Sequence, residues 1–115
     1  MRTLSEANLA EPDRRAVMSA AELLRAKWPM LSRVIIFGSR ARGDATLDSD
    51  LDLLVLSTRP VTRADRHDVT RLLSPLGREL GVMFGTIVAS EADWECGVLG
   101  TMPFRATVER DGVAA

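Results

Sequence analysis

The segment Gly38–Val55, GSRARGDATLDSDLDLLV, is the most informative part of this chain, because two strands and a polar connection can be recognised in and around it. The run VIIF at positions 34–37 is apolar, rich in β-branched residues and ended by Gly38, which predicts a buried strand. Asp50–Leu56 predicts a second strand. Between them, Ser39–Ser49 predicts a tight turn that begins with a helical turn and continues as a loop.

Two carboxylates lie two positions apart on the second strand. Side chains alternate between the faces of a strand, so Asp50 and Asp52 are expected on one face, with backbones roughly 6.5–7 Å apart. Leu51, Leu53 and Val55 are expected on the opposite face, in the core. The two like charges repel each other, and a bound cation would relieve that repulsion. Oxygen ligands of this kind suit Mg²⁺, whereas the alternative interpretation is a solvated acidic strand end.

The start of the connection has the residues of a phosphate-binding turn. A glycine directly after a buried strand, here Gly38, lets backbone N–H groups approach an anion closely, and Ser39 adds a hydroxyl donor. Arg40 and Arg42 are candidate ligands of phosphate oxygens, since the planar guanidinium suits phosphate geometry. A phosphate site facing an acidic metal site is the arrangement that metal-assisted phosphoryl or nucleotidyl transfer requires.

The sequence outside this stretch predicts helices that cover a small sheet. Pro12 is expected to open a helix that Pro29 stops, with an apolar stripe of Val17, Ala20, Ala21, Leu24 and Trp28. A second helix is expected from about Arg63, with a buried side of Val69, Leu72, Leu73 and Leu76. Pro75 should break or kink it, with Ser74 capping a second piece that ends at Gly81.

The last third of the chain predicts one more strand and two helices. Val82–Ala89 predicts the third strand, Ser90 caps a helix that contains Trp94, and Pro103 opens a helix that ends near Gly112. Residues 1–10 are expected to be a loose arm. The order α-β-β-α-β-α-α is that of an α+β fold, an α/β sandwich in which helices cover a small sheet.

Composition bounds the kind of protein. The 115 residues suffice for one small domain, and 46% hydrophobic with 27% charged residues is a globular balance. A net charge of −1 gives no basic surface for direct nucleic-acid binding. No apolar run reaches the length of a membrane span, and the first residues lack a signal peptide. Cys96 is the only cysteine, so a reducing, cytoplasmic location is expected.

Together, Gly38-Ser39 after a strand and Asp50-x-Asp52 on the next strand resemble the motif of the polymerase-beta-like nucleotidyltransferase superfamily, and the whole chain resembles its minimal nucleotidyltransferase branch. The resemblance implies one minimal nucleotidyltransferase domain over residues 1–115 with a nucleotidyltransferase-like fold and a small mixed sheet. It implies that Gly38 and Ser39 hold the triphosphate of ATP or another nucleotide, that Asp50 and Asp52 hold Mg²⁺ as catalytic ligands, and that Arg40 and Arg42 assist with phosphates.

Many members of this branch are antitoxins that act on a small helical toxin of the HEPN type. The resemblance therefore implies transfer of a nucleotide, AMP by expectation, to such a partner protein in a hetero-oligomer. The chain has no tyrosine, so an acceptor tyrosine would have to come from another molecule.

One feature of the superfamily is missing from the third predicted strand. Relatives add a third carboxylate there as metal ligand or general base, whereas this strand has Gly85 or Thr86 at that position. Loss of a general base lowers the rate by about 10²–10⁴-fold. Two alternatives therefore stay open: a weakened relative that neutralises its toxin by binding only, and a small-molecule nucleotidyltransferase like the aminoglycoside-modifying relatives. The latter usually need a further domain to hold their acceptor.

Overall fold

A computed structural model of the protein describes residues 1–43, 50–97 and 102–115. Helices and strands alternate along most of these ranges. In chain order they are β1 (Arg2–Thr3), α1 (Glu11–Lys27), β2 (Leu31–Phe37), α2 (Gly38–Arg42), β3 (Leu51–Ser57), α3 (Arg63–Leu80), β4 (Phe84–Ser90), α4 (Glu91–Glu95), α5 (Pro103–Asp111) and β5 (Val113–Ala114). The predicted α+β class with a small mixed sheet is confirmed.

The strands form one five-stranded mixed sheet in the order β1-β5-β2-β3-β4. The two strands predicted around the polar connection, β2 and β3, pair antiparallel, and β4 runs parallel to β3. The register sets Asp52 beside Phe37 on β2 and beside Gly85 on β4. The polar end of β3 therefore lies between the end of β2 and the beginning of β4.

The two faces of the sheet are covered by different helices. One face packs against α1 and α3 in the larger core, to which β3 contributes Leu51, Leu53 and Val55, as the alternation predicts. The other face carries a smaller core with Ile35, Leu54, Leu56 and Ala89 from the sheet, Trp94 from α4 and Val108 from α5. Asp52 is on the same face of β3 as Leu54 and Leu56, but it is only half-buried.

Local sequence signals account for most helix ends. The hydroxyl of Thr62 accepts from the backbone N–H of Asp65, and the Asp65 carboxylate accepts from the Thr62 N–H, so that a capping box opens α3. Ser90 caps α4 by accepting from the N–H of Asp93, as predicted. Gly81 ends α3 with a left-handed φ of 72°. In the described part of the chain, no helix combines the length and the apolarity that crossing a membrane requires.

The structure corrects three expectations. Residues 1–10 are not a loose arm, because β1 pairs with β5 and both Ala7 and Leu9 are buried. Pro75 does not break α3, which is helical from Arg63 to Leu80, so Ser74 caps no second piece. The first helix begins at Glu11, one residue before Pro12. The part of the predicted loop over residues 44–49 lies outside the described residues.

Candidate active site

The site is built at the turn from β2 into α2. Gly38 has a φ of +79°, a backbone conformation that residues with a side chain rarely adopt. At this residue the chain turns directly from the strand into a short helix. The helix ends at Gly43, whose φ is +85° and whose N–H donates to the Ser39 carbonyl over 2.9 Å. Ser39 is thereby fixed in the first turn of α2, at the end of the central strand β2.

Asp52 lies directly against this turn. A Cβ on Gly38 would clash with Oδ2 of Asp52, so the carboxylate occupies the space that only glycine leaves free. The structure therefore brings together Gly38 and Asp52, two residues that lie 14 positions apart in the sequence. Asp50 is exposed and immediately precedes β3, two residues before Asp52.

A second glycine, Gly85, borders the carboxylates from the other neighbouring strand. A Cβ on Gly85 would lie 2.7 Å from Oδ1 of Asp52, 3.5 Å from Oδ2 of Asp50 and 3.6 Å from Cβ of Asp50. The Asp52 carboxylate is therefore set between two glycines, one against each oxygen, and both carboxylates face Gly85. The sequence indicated Gly85 only as one of two positions at which the third carboxylate is missing, and it did not indicate that this glycine makes room for Asp52. The signal lay in the β3–β4 register, which a single sequence does not give.

The electrostatic environment of Asp52 reflects this position. Burial raises the pKa of Asp52, the neighbouring charge of Asp50 raises it further, and the Arg42 guanidinium opposes both effects. A carboxylate that is partly removed from water beside a like charge is stabilised by any cation that approaches it. The arrangement is therefore suited to a divalent metal ion.

The two arginines of α2 have different surroundings. Arg42 is exposed and close enough to act electrostatically on Asp52 and, as a smaller effect than that of Arg110, on Asp111. Arg40 instead donates from Nη1 to Oδ1 of Asp13 in α1, over 2.6 Å. Arg42 thus lies on the side of the carboxylates, while Arg40 has its Nη1 bound to the helix that covers the opposite face.

No third acid joins Asp50 and Asp52 in the ranges that the structure describes. There, no group of three or more His, Cys, Asp or Glu side chains is arranged to hold a metal ion. The register puts Gly85 next to Asp52, while Thr86 pairs with Leu53 and belongs to the opposite face. Of the two candidate positions for the missing acid, it is therefore Gly85 that borders the site. The loop residues Asp44 and Asp48 lie outside the described residues.

Comparison with known proteins agrees with this geometry. Residues 17–106 match the family described as "Nucleotidyltransferase domain". A candidate protein adenylyltransferase of Methanocaldococcus jannaschii, MJ0604, is 32% identical over 80 residues, which are 69% of this chain and 75% of that protein. A solved structure of a candidate minimal nucleotidyltransferase is 32% identical, with a TM-score of 0.57 over 86% of this chain and 88% of that one.

A further solved structure shares the fold at lower identity. It is a toxin–antitoxin complex with AMP-PNP, 19% identical, with a TM-score of 0.58 over 91% of this chain and 72% of the matched one. At this identity the likeness concerns the fold alone.

Proposed function

Because this chain belongs to the nucleotidyltransferase domain family, we propose that it binds ATP with Mg²⁺ and transfers AMP to a partner protein, a toxin of the HEPN type that it neutralises as an antitoxin. The observation that carries this proposal is the contact between the Gly38–Ser39 turn and the Asp52 carboxylate. This contact brings the Gly38–Ser39 turn to the end of the sheet that carries the two carboxylates, which supports a phosphate site beside a metal site. The name of the related protein adenylyltransferase supports a protein as the acceptor.

The donor set fits Mg²⁺. Asp50 and Asp52 supply hard oxygen ligands on one face. The raised pKa of Asp52 means that its ionised form is disfavoured, and a nearby cation would stabilise that form. A bound Mg²⁺ would neutralise charge on the phosphates and on the two carboxylates. The Gly38 turn and the Ser39 hydroxyl would bind the triphosphate, and Arg42 would approach it from the side of Asp52.

The transfer is a substitution at the α-phosphorus of ATP. The acceptor hydroxyl oxygen forms a bond to that phosphorus, the bond to the β-phosphate oxygen breaks, and pyrophosphate leaves. The hydroxyl proton passes to water or to a group of the acceptor molecule, since Gly85, which stands beside Asp52, offers no carboxylate base. In this proposal the chain holds and orients the nucleotide, and the partner brings the tyrosine, which this chain lacks.

The experiment uses the protein, its neighbouring gene product, ATP and Mg²⁺, followed by intact mass measurement of both chains. We expect the partner to gain the mass of one or more AMP groups. The double variant Asp50→Asn with Asp52→Asn should give no gain while it still forms the complex. Asp68→Asn changes a partly exposed acid on α3, the helix that packs on the face of the sheet opposite to Asp52. It is the matched control and should transfer AMP like the unaltered protein.

A second candidate function is neutralisation by binding alone. The observation that favours it is Gly85 at the position beside Asp52, since a missing general base would lower the transfer rate by about 10²–10⁴-fold. No mass gain, together with a tight complex that inhibits the toxin equally well in the double variant, would contradict AMP transfer and support this alternative. The lone Cys96 is consistent with the cytoplasmic location that either function implies.

A further inference from the structure

The side chains of Asp13 and Arg40 form an ion pair that is largely removed from water. Their side chains are 9% and 17% exposed, and Arg40 Nη1 donates to Asp13 Oδ1 over 2.6 Å. Asp13 lies in the first turn of α1, where the helix dipole also favours a negative charge. Removing two charges from water is costly, and breaking such a pair leaves one of them uncompensated. The pair is therefore a fixed feature of the fold rather than a mobile surface contact.

This pair holds an element that is too short to be stable alone. The helix α2 has five residues, and an isolated helix of that length does not persist in water. Its position depends on ties to the rest of the molecule: Ala41 is buried in the larger core, and Arg2 donates from Nη2 to the Ala41 carbonyl over 3.1 Å. Asp13 supplies a further tie through the residue that directly follows Ser39.

We propose that Asp13 is a positioning residue for nucleotide binding, which it supports by holding Arg40 and, through it, the Gly38–Ser39 turn beside Asp52. The inference rests on the proposed function and deepens it. It gives Arg40 a role different from the one that its sequence motif suggests: Arg40 acts through its bond to Asp13, and Arg42 is the arginine on the side of the carboxylates.

The test is a double-mutant cycle on ATP affinity, measured by titration calorimetry with Mg²⁺ present. The proteins are the unaltered chain, Asp13→Asn, Arg40→Gln and the double variant, and the melting temperature of each is recorded. Each single variant should bind ATP about 10- to 100-fold more weakly, the range expected for a hydrogen bond between charged groups. The double variant should bind no more weakly than either single variant, because each change removes the same tie.

One conservative variant and one control separate positioning from other roles. Arg40→Lys keeps the positive charge on the side chain next to Asp13, so its ATP affinity should stay within about threefold of that of the unaltered protein. If Asp13→Asn does not fold, the comparison of Arg40→Lys with Arg40→Gln still tests the proposal. Glu91→Gln breaks the ion pair of Glu91 with Arg33, 2.9 Å long and at the other end of the sheet. It should lower the melting temperature and leave ATP affinity unchanged.

Several results would overturn the inference. Unchanged ATP affinity in Asp13→Asn alongside a loss in Arg40→Gln would mean that Arg40 contacts the phosphates directly. Losses that add in the double variant, or a fall of the melting temperature with unchanged ATP affinity in all variants, would also refute it. Arg40→Lys binding as weakly as Arg40→Gln would do the same. If the unaltered protein bound no ATP at all, the proposed function itself would be contradicted, and this inference with it.

Discussion

The role of Gly85 can be tested by adding a single methyl group. Gly85→Ala leaves the backbone unstrained, because the φ of Gly85 is not positive. The new Cβ would lie 2.7 Å from Asp52 Oδ1, whereas non-bonded atoms of this kind prefer about 3.5 Å. The Asp52 carboxylate must therefore move by several tenths of an ångström. It has no room toward β2, because its other oxygen already lies against Gly38.

The magnitude follows from the ways in which the clash can be relieved. Turning the Asp52 side chain off its rotamer costs about 0.5–1.5 kcal/mol, and overpacking a tight site costs about 1–3 kcal/mol. Replacing glycine by alanine inside a strand returns about 0.5–1 kcal/mol to the folded state. The net loss of stability should therefore not exceed about 2.5 kcal/mol. The displaced carboxylate should weaken binding of ATP with Mg²⁺ by about 10- to 100-fold.

Calorimetric titration of ATP with Mg²⁺ measures the loss, and urea unfolding measures the stability of the same variant. Thr86→Ala is the control, since Thr86 is the next residue on β4 and belongs to the opposite face. It should leave ATP affinity unchanged. If Gly85→Ala folds normally and binds ATP as tightly as the unaltered protein, the assignment of Gly85 to the positioning of Asp52 is wrong.

Three further predictions concern stability. Asp52→Asn should melt at a higher temperature than the unaltered protein at neutral pH without Mg²⁺. The raised pKa of Asp52 means that folding disfavours its ionised form, so this difference should vanish as the pH falls below the ordinary aspartate pKa. Asp65→Asn should melt lower at neutral pH, since the Thr62 N–H above all lowers the pKa of Asp65. That stabilisation is present above the ordinary pKa and is lost as the pH falls through the lower folded one, so melting curves recorded from pH 7 into acid should converge. Leu53→Ala, in the larger core, should lower the free energy of unfolding in urea by about 2–5 kcal/mol, whereas Leu80→Ala at an exposed position should change it by less than about 0.5 kcal/mol.

The central part of the fold could be predicted because its signals are local. The run at 34–37 and the alternation after Asp50 identify β2 and β3, and helical spacing identifies the buried stripe from Val17 to Trp28. The strands β1 and β5 could not be predicted, because two residues have no periodicity and their pairing joins the two ends of the chain. The continuity of α3 through Pro75 is likewise a tertiary effect: Val69, Leu73 and Gly77 are buried on both sides of the proline.

The residues of the candidate site likewise fall into those that the sequence predicts and those that only the structure shows. The motif residues Gly38, Ser39, Asp50 and Asp52 stand out in the sequence, whereas the parts that Gly85 and Asp13 play in positioning them do not. Both of these are defined only by a contact with a distant segment: Gly85 by the parallel register with β3, and Asp13 by an ion pair with α2. Residues that position a motif carry no signature of their own, because many residue types fit their local sequence equally well.

The arrangement of the two cores explains why such a small domain would need a partner for the proposed reaction. On the face that carries Asp52, Leu54, Leu56 and Ala89 belong to the smaller core, to which α4 and α5 contribute Trp94 and Val108. At the other end of that face, Asp52 stays half-buried and Asp50 exposed. The face on which ATP would approach the carboxylates in the proposed reaction therefore leaves an open side for an acceptor. A second protein that covers this side would complete the removal of water from Asp52 and deliver its hydroxyl group in one step, so that binding and transfer would depend on the same surface.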